Sequence, residues 1–154
     1  MGEGLHGITK VFSGVEDLVI LHEIYGDRKS LVSVLDRVNV KVIDSEYYMY
    51  VDDADCSIVI GLNHLTNADE RTLYLDIIHE LVHVKQFLDG KDIYDERYGY
   101  VDRQTEIEAY QVVIDEATKL RMNDEEIMEY LKVDWVSKDE LRRLADQLGV
   151  SSGS

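Results

Sequence analysis

The pentapeptide HELVH at residues 79–83 places two histidines four positions apart, with a glutamate directly after the first. On an α-helix, His79 and His83 lie one turn apart on the same face, so both imidazoles can converge on one ion. Zinc bound by nitrogen at about 2.0–2.1 Å requires this convergence. Glu80 is rotated about 100° from His79, so it flanks such an ion instead of joining the ligands. The spacing therefore predicts a zinc site in which Glu80 accepts a proton from a zinc-bound water.

A catalytic zinc site needs a third protein ligand and an open position. The segment TEIEAYQ at residues 105–111 offers two glutamates. Glu106 and Glu108 lie about 200° apart on a helix, so at most one of them faces the ion. Ala109 favours Glu106, because a small residue three positions later lets this helix approach the HELVH helix closely, and Tyr110 shares that face. Glu106 is the favoured ligand, and Glu108 remains the alternative.

Other residues are candidates for supporting such a site. Asp76 precedes His79 by about one turn and Gln86 follows His83 by about one turn, so each could orient an imidazole by accepting its other N–H. His64, in the loop before this helix, is more typical of a surface histidine than of a transition-state donor. The candidates for stabilising an oxyanion are four tyrosines among which the sequence does not choose, Tyr94, Tyr98, Tyr100 and Tyr110.

Size and composition describe the chain that must position these residues. The 154 residues are 45% hydrophobic and 31% charged, a balance typical of a globular protein. We expect a single domain over residues 1–150 and a disordered tail at 151–154. The net charge of −16, with basic residues scattered singly, predicts no nucleic-acid partner.

The location of the protein is also predicted from composition. No apolar stretch is long enough to span a membrane, and residues 1–14 lack the basic and apolar regions of a secretory signal. A single cysteine, Cys56, suits a reducing compartment. These features predict a cytoplasmic protein without a membrane partner, and they leave its oligomeric state open.

Helical patterns occupy both ends of the chain. Two short helices are predicted at 15–24 and 28–38. A longer helix, capped by Asn67, carries HELVH to about Asp89, where Gly90 ends it. Another helix is predicted at 103–122. Two short helices that begin with capping pairs complete the chain, and these pairs are Asn123 with Glu126 and Ser137 with Glu140.

Strand patterns lie between these helices. Runs of β-branched and aromatic residues at 38–44, 46–52 and 56–62 are separated by polar turns. Strands joined this closely are predicted to form an antiparallel meander. The order of helices, strands and helices indicates an α+β fold, in which a small antiparallel sheet of about three strands packs against the HELVH helix and further helices.

HELVH followed by EIEAY resembles the gluzincin metallopeptidases, in which a helical HExxH is completed by a glutamate from a later helix. The closer similarity, over residues 73–111, is to the HtpX-type and ImmA/IrrE-type proteases, which share an E-x-E-A signature. The resemblance implies a zincin-like fold with His79, His83 and Glu106 as zinc ligands and Glu80 as general base. These families usually have Asp or Asn where this chain has Tyr110.

The resemblance also implies an antiparallel edge strand above the cleft, which pairs with an extended substrate and corresponds by position to residues 56–62. The leading expectation is a zinc-dependent metallopeptidase that acts on a peptide or protein substrate. An alternative is a zinc-bound regulatory or binding module of the same fold without proteolytic turnover. A third possibility is a metal-free helical protein in which HELVH occurs by coincidence.

Overall fold

A computed structural model describes residues 2–151; Met1 and residues 152–154, which make up most of the predicted tail, lie outside the described part of the chain. The described residues form a mixed α+β structure with eight α-helices and four strands. The strands are β1 (Gly4–Gly7), β2 (Asn39–Ile43), β3 (Met49–Asp52) and β4 (Ser57–Gly61). The helices are α1 (Ile8–Val11), α2 (Val19–Tyr25), α3 (Arg28–Leu35), α4 (Leu62–Asn67), α5 (Glu70–Leu88), α6 (Gln104–Lys119), α7 (Asp124–Leu131) and α8 (Lys138–Leu148).

The strands form one mixed sheet in the order β1–β2–β4–β3. β2 and β4 are parallel, whereas β1 is antiparallel to β2 and β3 is antiparallel to β4. The predicted antiparallel meander of three strands is therefore wrong, because β4 lies between β2 and β3 and the N-terminal β1 adds a fourth strand. All five residues of β4 are buried, as expected for a strand covered on both faces in the interior of a sheet.

Gly61, at the end of β4, lies where the loop between β2 and β3 crosses the sheet. A Cβ at this position would lie 2.1 Å from the carbonyl oxygen of Tyr47 and 2.6 Å from that of Ser45. The loop after β2 therefore lies directly against Gly61, and β3 continues to the far side of β4. The strand beside α5 at the edge of the sheet is β3 and not residues 56–62, which contradicts the expectation from the resemblance.

α5 carries HELVH and begins two residues later than predicted. Asp69 is its N-cap, and its carboxylate accepts a hydrogen bond from the Thr72 amide at 2.7 Å. An ionised acceptor suits this position because the helix dipole favours negative charge there. Asn67 instead ends α4, where its amide donates to Asn63 at 2.6 Å. At its other end α5 stops at Leu88, close to the predicted boundary.

The C-terminal half of the chain follows the predicted pattern more closely. α6 packs against α5, and Ala109 is fully buried in α6. Both capping pairs are confirmed, since Asn123 with Glu126 and Ser137 with Glu140 each form a complete capping box. Near the N-terminus, the helix predicted at 15–24 is instead divided into a 3-10 turn at Val15–Asp17 and α2. Among residues 2–151, no helix is both long and apolar enough to cross a membrane.

Candidate metal centre

α5 holds His79 and His83 in the interior of the protein. Both side chains are buried, and their apolar neighbours Ile78 and Leu81 are fully buried. The two Nε2 atoms are 3.1 Å apart. The rings meet edge to face, with their centroids separated by 4.7 Å. The four-residue spacing thus brings one nitrogen of each histidine to a common point, as helical geometry requires.

Glu106 brings a carboxylate oxygen from α6 to the same point. Its Oε1 lies 3.0 Å from Nε2 of His79 and 2.9 Å from Nε2 of His83. The Glu106 side chain is buried. Glu108, the alternative glutamate, is partly exposed and forms an ion pair with Lys91 at 3.2 Å. Of the two glutamates in TEIEAYQ, Glu106 is the one that faces both histidines.

Burial and the neighbouring charges shift the pKa values of these three residues in opposite directions. Burial raises the pKa of Glu106, but hydrogen bonds from His79 and His83 outweigh it and lower that pKa to about 2. Burial lowers the pKa of His83, yet its bond to the Glu106 carboxylate outweighs this effect and raises the pKa to about 9. For His79, burial dominates and the pKa is lowered. Without a bound ion, these shifts favour an ionised Glu106 with the positive charge on His83. A bound metal ion would take the place of that proton on Nε2.

Protons alone cannot satisfy all three contacts in this triangle of atoms. If both histidines donate from Nε2 to Glu106, two N–H groups face each other across the 3.1 Å that separates the nitrogens. If one histidine is unprotonated at Nε2, it loses its hydrogen bond to the carboxylate. A cation at the common point would instead interact favourably with the lone pairs of all three atoms.

The separations of these atoms fit a metal ion. Tetrahedral zinc with bonds of about 2.0–2.1 Å needs ligand atoms about 3.3–3.4 Å apart. The three observed separations are 2.9, 3.0 and 3.1 Å. The ligand atoms would therefore have to separate by only a few tenths of an ångström, and two imidazole nitrogens with one carboxylate oxygen form a ligand set that zinc commonly takes.

Glu80 lies beside the triangle. His79, Glu80 and His83 form a buried group whose possible ligand atoms all lie within 4.8 Å of one another, close enough to bind a metal ion. Glu106 is not a member of this group, but it makes the short contacts with both histidine nitrogens, at 3.0 and 2.9 Å. Burial raises the pKa of Glu80 well above its ordinary value.

Gln86 is hydrogen-bonded to His83 and to α6. Its Oε1 lies 2.7 Å from Nδ1 of His83. Its Nε2 donates to the backbone carbonyl of Thr105 at 3.0 Å and to Glu108 at 3.2 Å. The sequence predicts Gln86 and Asp76 as equal candidates for this kind of support, and their hydrogen-bond partners distinguish them.

Asp76 bonds to other partners and not to His79. Its Oδ2 lies 2.7 Å from Nε2 of His64, and its Oδ1 accepts a hydrogen bond from the Tyr130 hydroxyl at 2.7 Å. The His64 side chain is therefore largely buried in a hydrogen-bonded pair with Asp76, and His64 is not the surface residue that the sequence favoured. Among the residues that the structure describes, Nδ1 of His79 is one of the few buried side-chain atoms with no hydrogen-bond partner.

A cleft of about 460 Å³ connects the site with the edge strand. β3, Glu80 and both histidines of HELVH line it. Of the four candidate tyrosines, Tyr94 and Tyr100 line this cleft as well. Tyr110 lies behind His79, with ring centroids 4.4 Å apart, and its hydroxyl is 2.6 Å from that of Tyr100. Tyr98 is exposed and is not among the residues that line the cleft.

Two aromatic residues of the cleft, Tyr48 and Trp135, were not identified from the sequence. Their rings lie 5.5 Å apart, and Trp135 also packs edge to face against Tyr100. Trp135 is 48% exposed in spite of its size, so it forms a solvent-accessible wall of the cleft. The two residues are 87 positions apart, and no local pattern in the sequence indicates that they meet.

Comparison of the chain with protein-family models, with curated proteins and with solved structures found no match. The similarity to gluzincins therefore rests on the HELVH and EIEAY residues, and their geometry is the basis of the functional proposal.

Proposed function

We propose that this protein is a zinc-dependent metallopeptidase with a zincin-like arrangement of α5 and the sheet. His79, His83 and Glu106 would hold the ion. The observation that carries this proposal is the convergence of three ligand atoms from two helices, at separations of 2.9–3.1 Å, in a buried position at the base of a cleft. Zinc at such a site polarises a carbonyl group and lowers the pKa of bound water to about 7.

Glu80 is the proposed general base. It lies within 4.8 Å of the histidine nitrogens and lines the cleft, so a water molecule between the ligands and the substrate would be within its reach. Its carboxylate would take the proton from the attacking water and pass it to the leaving amine. Burial, which raises the pKa of Glu80, favours a carboxylate that takes up a proton and then releases it.

The edge strand supports a peptide as substrate. The Gly61 amide donates to the Tyr48 carbonyl, so this pair is hydrogen-bonded across β3 and β4. The alternation of an antiparallel ladder then directs the backbone groups of Met49 and Val51 away from β4. An extended peptide in the cleft could pair with these groups by β-augmentation. The Tyr94 hydroxyl donates to the Val51 carbonyl, and an incoming strand would replace it there.

The proposal is tested with protein purified without a histidine tag. We expect one zinc ion per chain and cleavage of members of a broad peptide library. Glu80→Gln should retain the zinc and lose activity by about 10²–10⁴-fold, which is the usual effect of removing a general base. The amide is nearly isosteric with the carboxylate, so the fold and the ligands should be preserved.

Each other result points to a different function. A zinc-loaded wild type that cleaves no peptide would contradict the peptidase and favour the regulatory or binding module. A wild type that binds no metal would make HELVH a coincidence. Loss of zinc from Glu80→Gln would identify Glu80 as a ligand, and cleavage by that variant at the wild-type rate would place the base elsewhere.

A further inference from the structure

Gln86 has an unambiguous orientation in the structure. It is buried, and its side-chain amide bonds at both ends. One end lies 3.0 Å from the Thr105 carbonyl and 3.2 Å from a Glu108 carboxylate oxygen. These two partners only accept hydrogen bonds, so this end is the NH₂ group. The oxygen of Gln86 must therefore be the atom 2.7 Å from Nδ1 of His83.

This orientation determines which nitrogen of His83 carries a proton. The Gln86 oxygen accepts hydrogen bonds and cannot donate them, so Nδ1 of His83 must be the donor. A neutral imidazole has a single N–H, and a nitrogen that binds a metal must be unprotonated. With the proton at Nδ1, the lone pair is on Nε2, which is the atom that faces Glu106 and His79.

His79 provides an internal contrast. Its Nε2 also faces the common point, but its Nδ1 has no hydrogen-bond partner within residues 2–151. The two histidines of HELVH are therefore supported differently. The ring of His83 is oriented by a buried side chain that is itself held by α6, whereas that of His79 is held by packing against Tyr110.

We propose that Gln86 is a positioning residue that selects the metal-binding tautomer of His83 and links it to α6. This inference rests on the proposed metal site, but it does not require peptidase activity. Gln86 bonds to the carbonyl of Thr105, which directly precedes Glu106. One side chain thus positions the second histidine relative to the helix that supplies the glutamate. Glu108, paired with Lys91, holds the amide from the outer side.

The first test uses the wild type alone. Protein labelled with ¹⁵N and loaded with zinc or with ¹¹³Cd is examined by long-range ¹H–¹⁵N NMR of its histidine rings. We expect His83 to bind the metal through Nε2 and to retain a proton on Nδ1. Coordination through Nδ1 would overturn the proposal, and so would a proton on Nε2 in the loaded protein.

The second test compares Gln86→Met with Gln111→Met. Methionine keeps the length of the glutamine side chain but neither accepts from Nδ1 nor donates to α6. Loss of a supporting hydrogen bond to a metal ligand typically weakens metal binding about 10–100-fold, and we expect this change in the zinc Kd measured against a chromophoric chelator. Gln111 is exposed on α6 and bonds to Asp115, so Gln111→Met should leave the Kd unchanged.

The two tests together separate positioning from general stability. A Gln86→Met variant that binds zinc with the wild-type Kd would overturn the proposal. If that variant does not fold, the tautomer of wild-type His83 still decides the question. A wild type that binds neither zinc nor cadmium would overturn the metal site itself. That result differs from a loaded protein in which His83 has the other tautomer, where only the role of Gln86 fails.

Discussion

α5 carries two clusters of histidine and carboxylate that use their polar atoms in different ways. In the first, His79, His83 and Glu106 direct three atoms to one point, and no placement of protons gives every pair a hydrogen bond. In the second, each oxygen of Asp76 has its own partner, since His64 bonds one and Tyr130 the other. Residue types alone do not distinguish the clusters.

The two clusters differ in whether their own hydrogen bonds satisfy every polar atom. Around Asp76, donors and acceptors alternate, so the cluster is satisfied without any other group and joins α4, α5 and α7. Around Glu106, the donors compete for a single oxygen, and a cation would satisfy all three atoms. A candidate metal centre therefore differs from a structural hydrogen-bonded cluster in one feature. Its atoms converge on one point, but hydrogen bonds cannot satisfy all of them.

The largest expected effect tests this contrast directly. His79→Ala should abolish stoichiometric zinc binding, because two ligands remain where zinc needs at least three from the protein. His64→Ala should retain one zinc per chain, because His64 belongs to the satisfied cluster. Metal analysis after dialysis of both variants measures this. Loss of zinc from His64→Ala would show that the two clusters do not act separately.

A similar comparison applies to the two glutamates of α6. Loss of a supporting residue is expected to weaken zinc binding about 10–100-fold. Glu106→Gln should weaken it further, because the amide is a poor substitute for a carboxylate ligand. Glu108→Gln should remain fully loaded, since an amide oxygen can still accept from Gln86. Titration of both variants with a chelator gives the ranking. The reverse ranking would make Glu108 the ligand.

Removal of the metal should destabilise the protein through the first cluster alone. With free zinc at about 1,000 times its Kd, linkage contributes about 4 kcal/mol to the free energy of unfolding. The apo protein should still unfold cooperatively, because a chain of 154 residues buries a substantial core without the ion. Thermal melts over a series of zinc concentrations measure the shift. An apo protein without a cooperative melt would contradict this expectation.

The smallest expected effect concerns the second cluster. Tyr130→Phe removes the donor to one oxygen of Asp76 and should cost about 1.5–3 kcal/mol of unfolding free energy, the usual range for a hydrogen bond to a charged group. The zinc Kd should not change. Tyr98→Phe, at an exposed tyrosine, is the control. Both variants are measured by urea unfolding and by zinc titration. Weaker zinc binding by Tyr130→Phe would show that the two clusters are coupled.

The sequence by itself determined the features that depend on neighbouring residues. The helical spacing of His79 and His83 brings their nitrogens together because four residues span about one turn. Both C-terminal capping boxes form as predicted, because a cap and its partner are three residues apart. The inward face of α6 also followed from local spacing, since Ala109 and Glu106 are three positions apart.

Only the tertiary structure decided how distant segments meet. The loop after β2 passes directly against Gly61, and β3 pairs with the far edge of β4. Strand patterns do not reveal this arrangement, so the meander and the edge strand were predicted wrongly. Asp76 and Gln86 looked equivalent beside HELVH. In the structure, Asp76 is hydrogen-bonded to His64 and Tyr130. The amide of Gln86 instead donates to α6, which leaves its oxygen facing His83. The hydrogen bonds that separate these two residues involve partners far away in the sequence, and local periodicity carries no information about such partners.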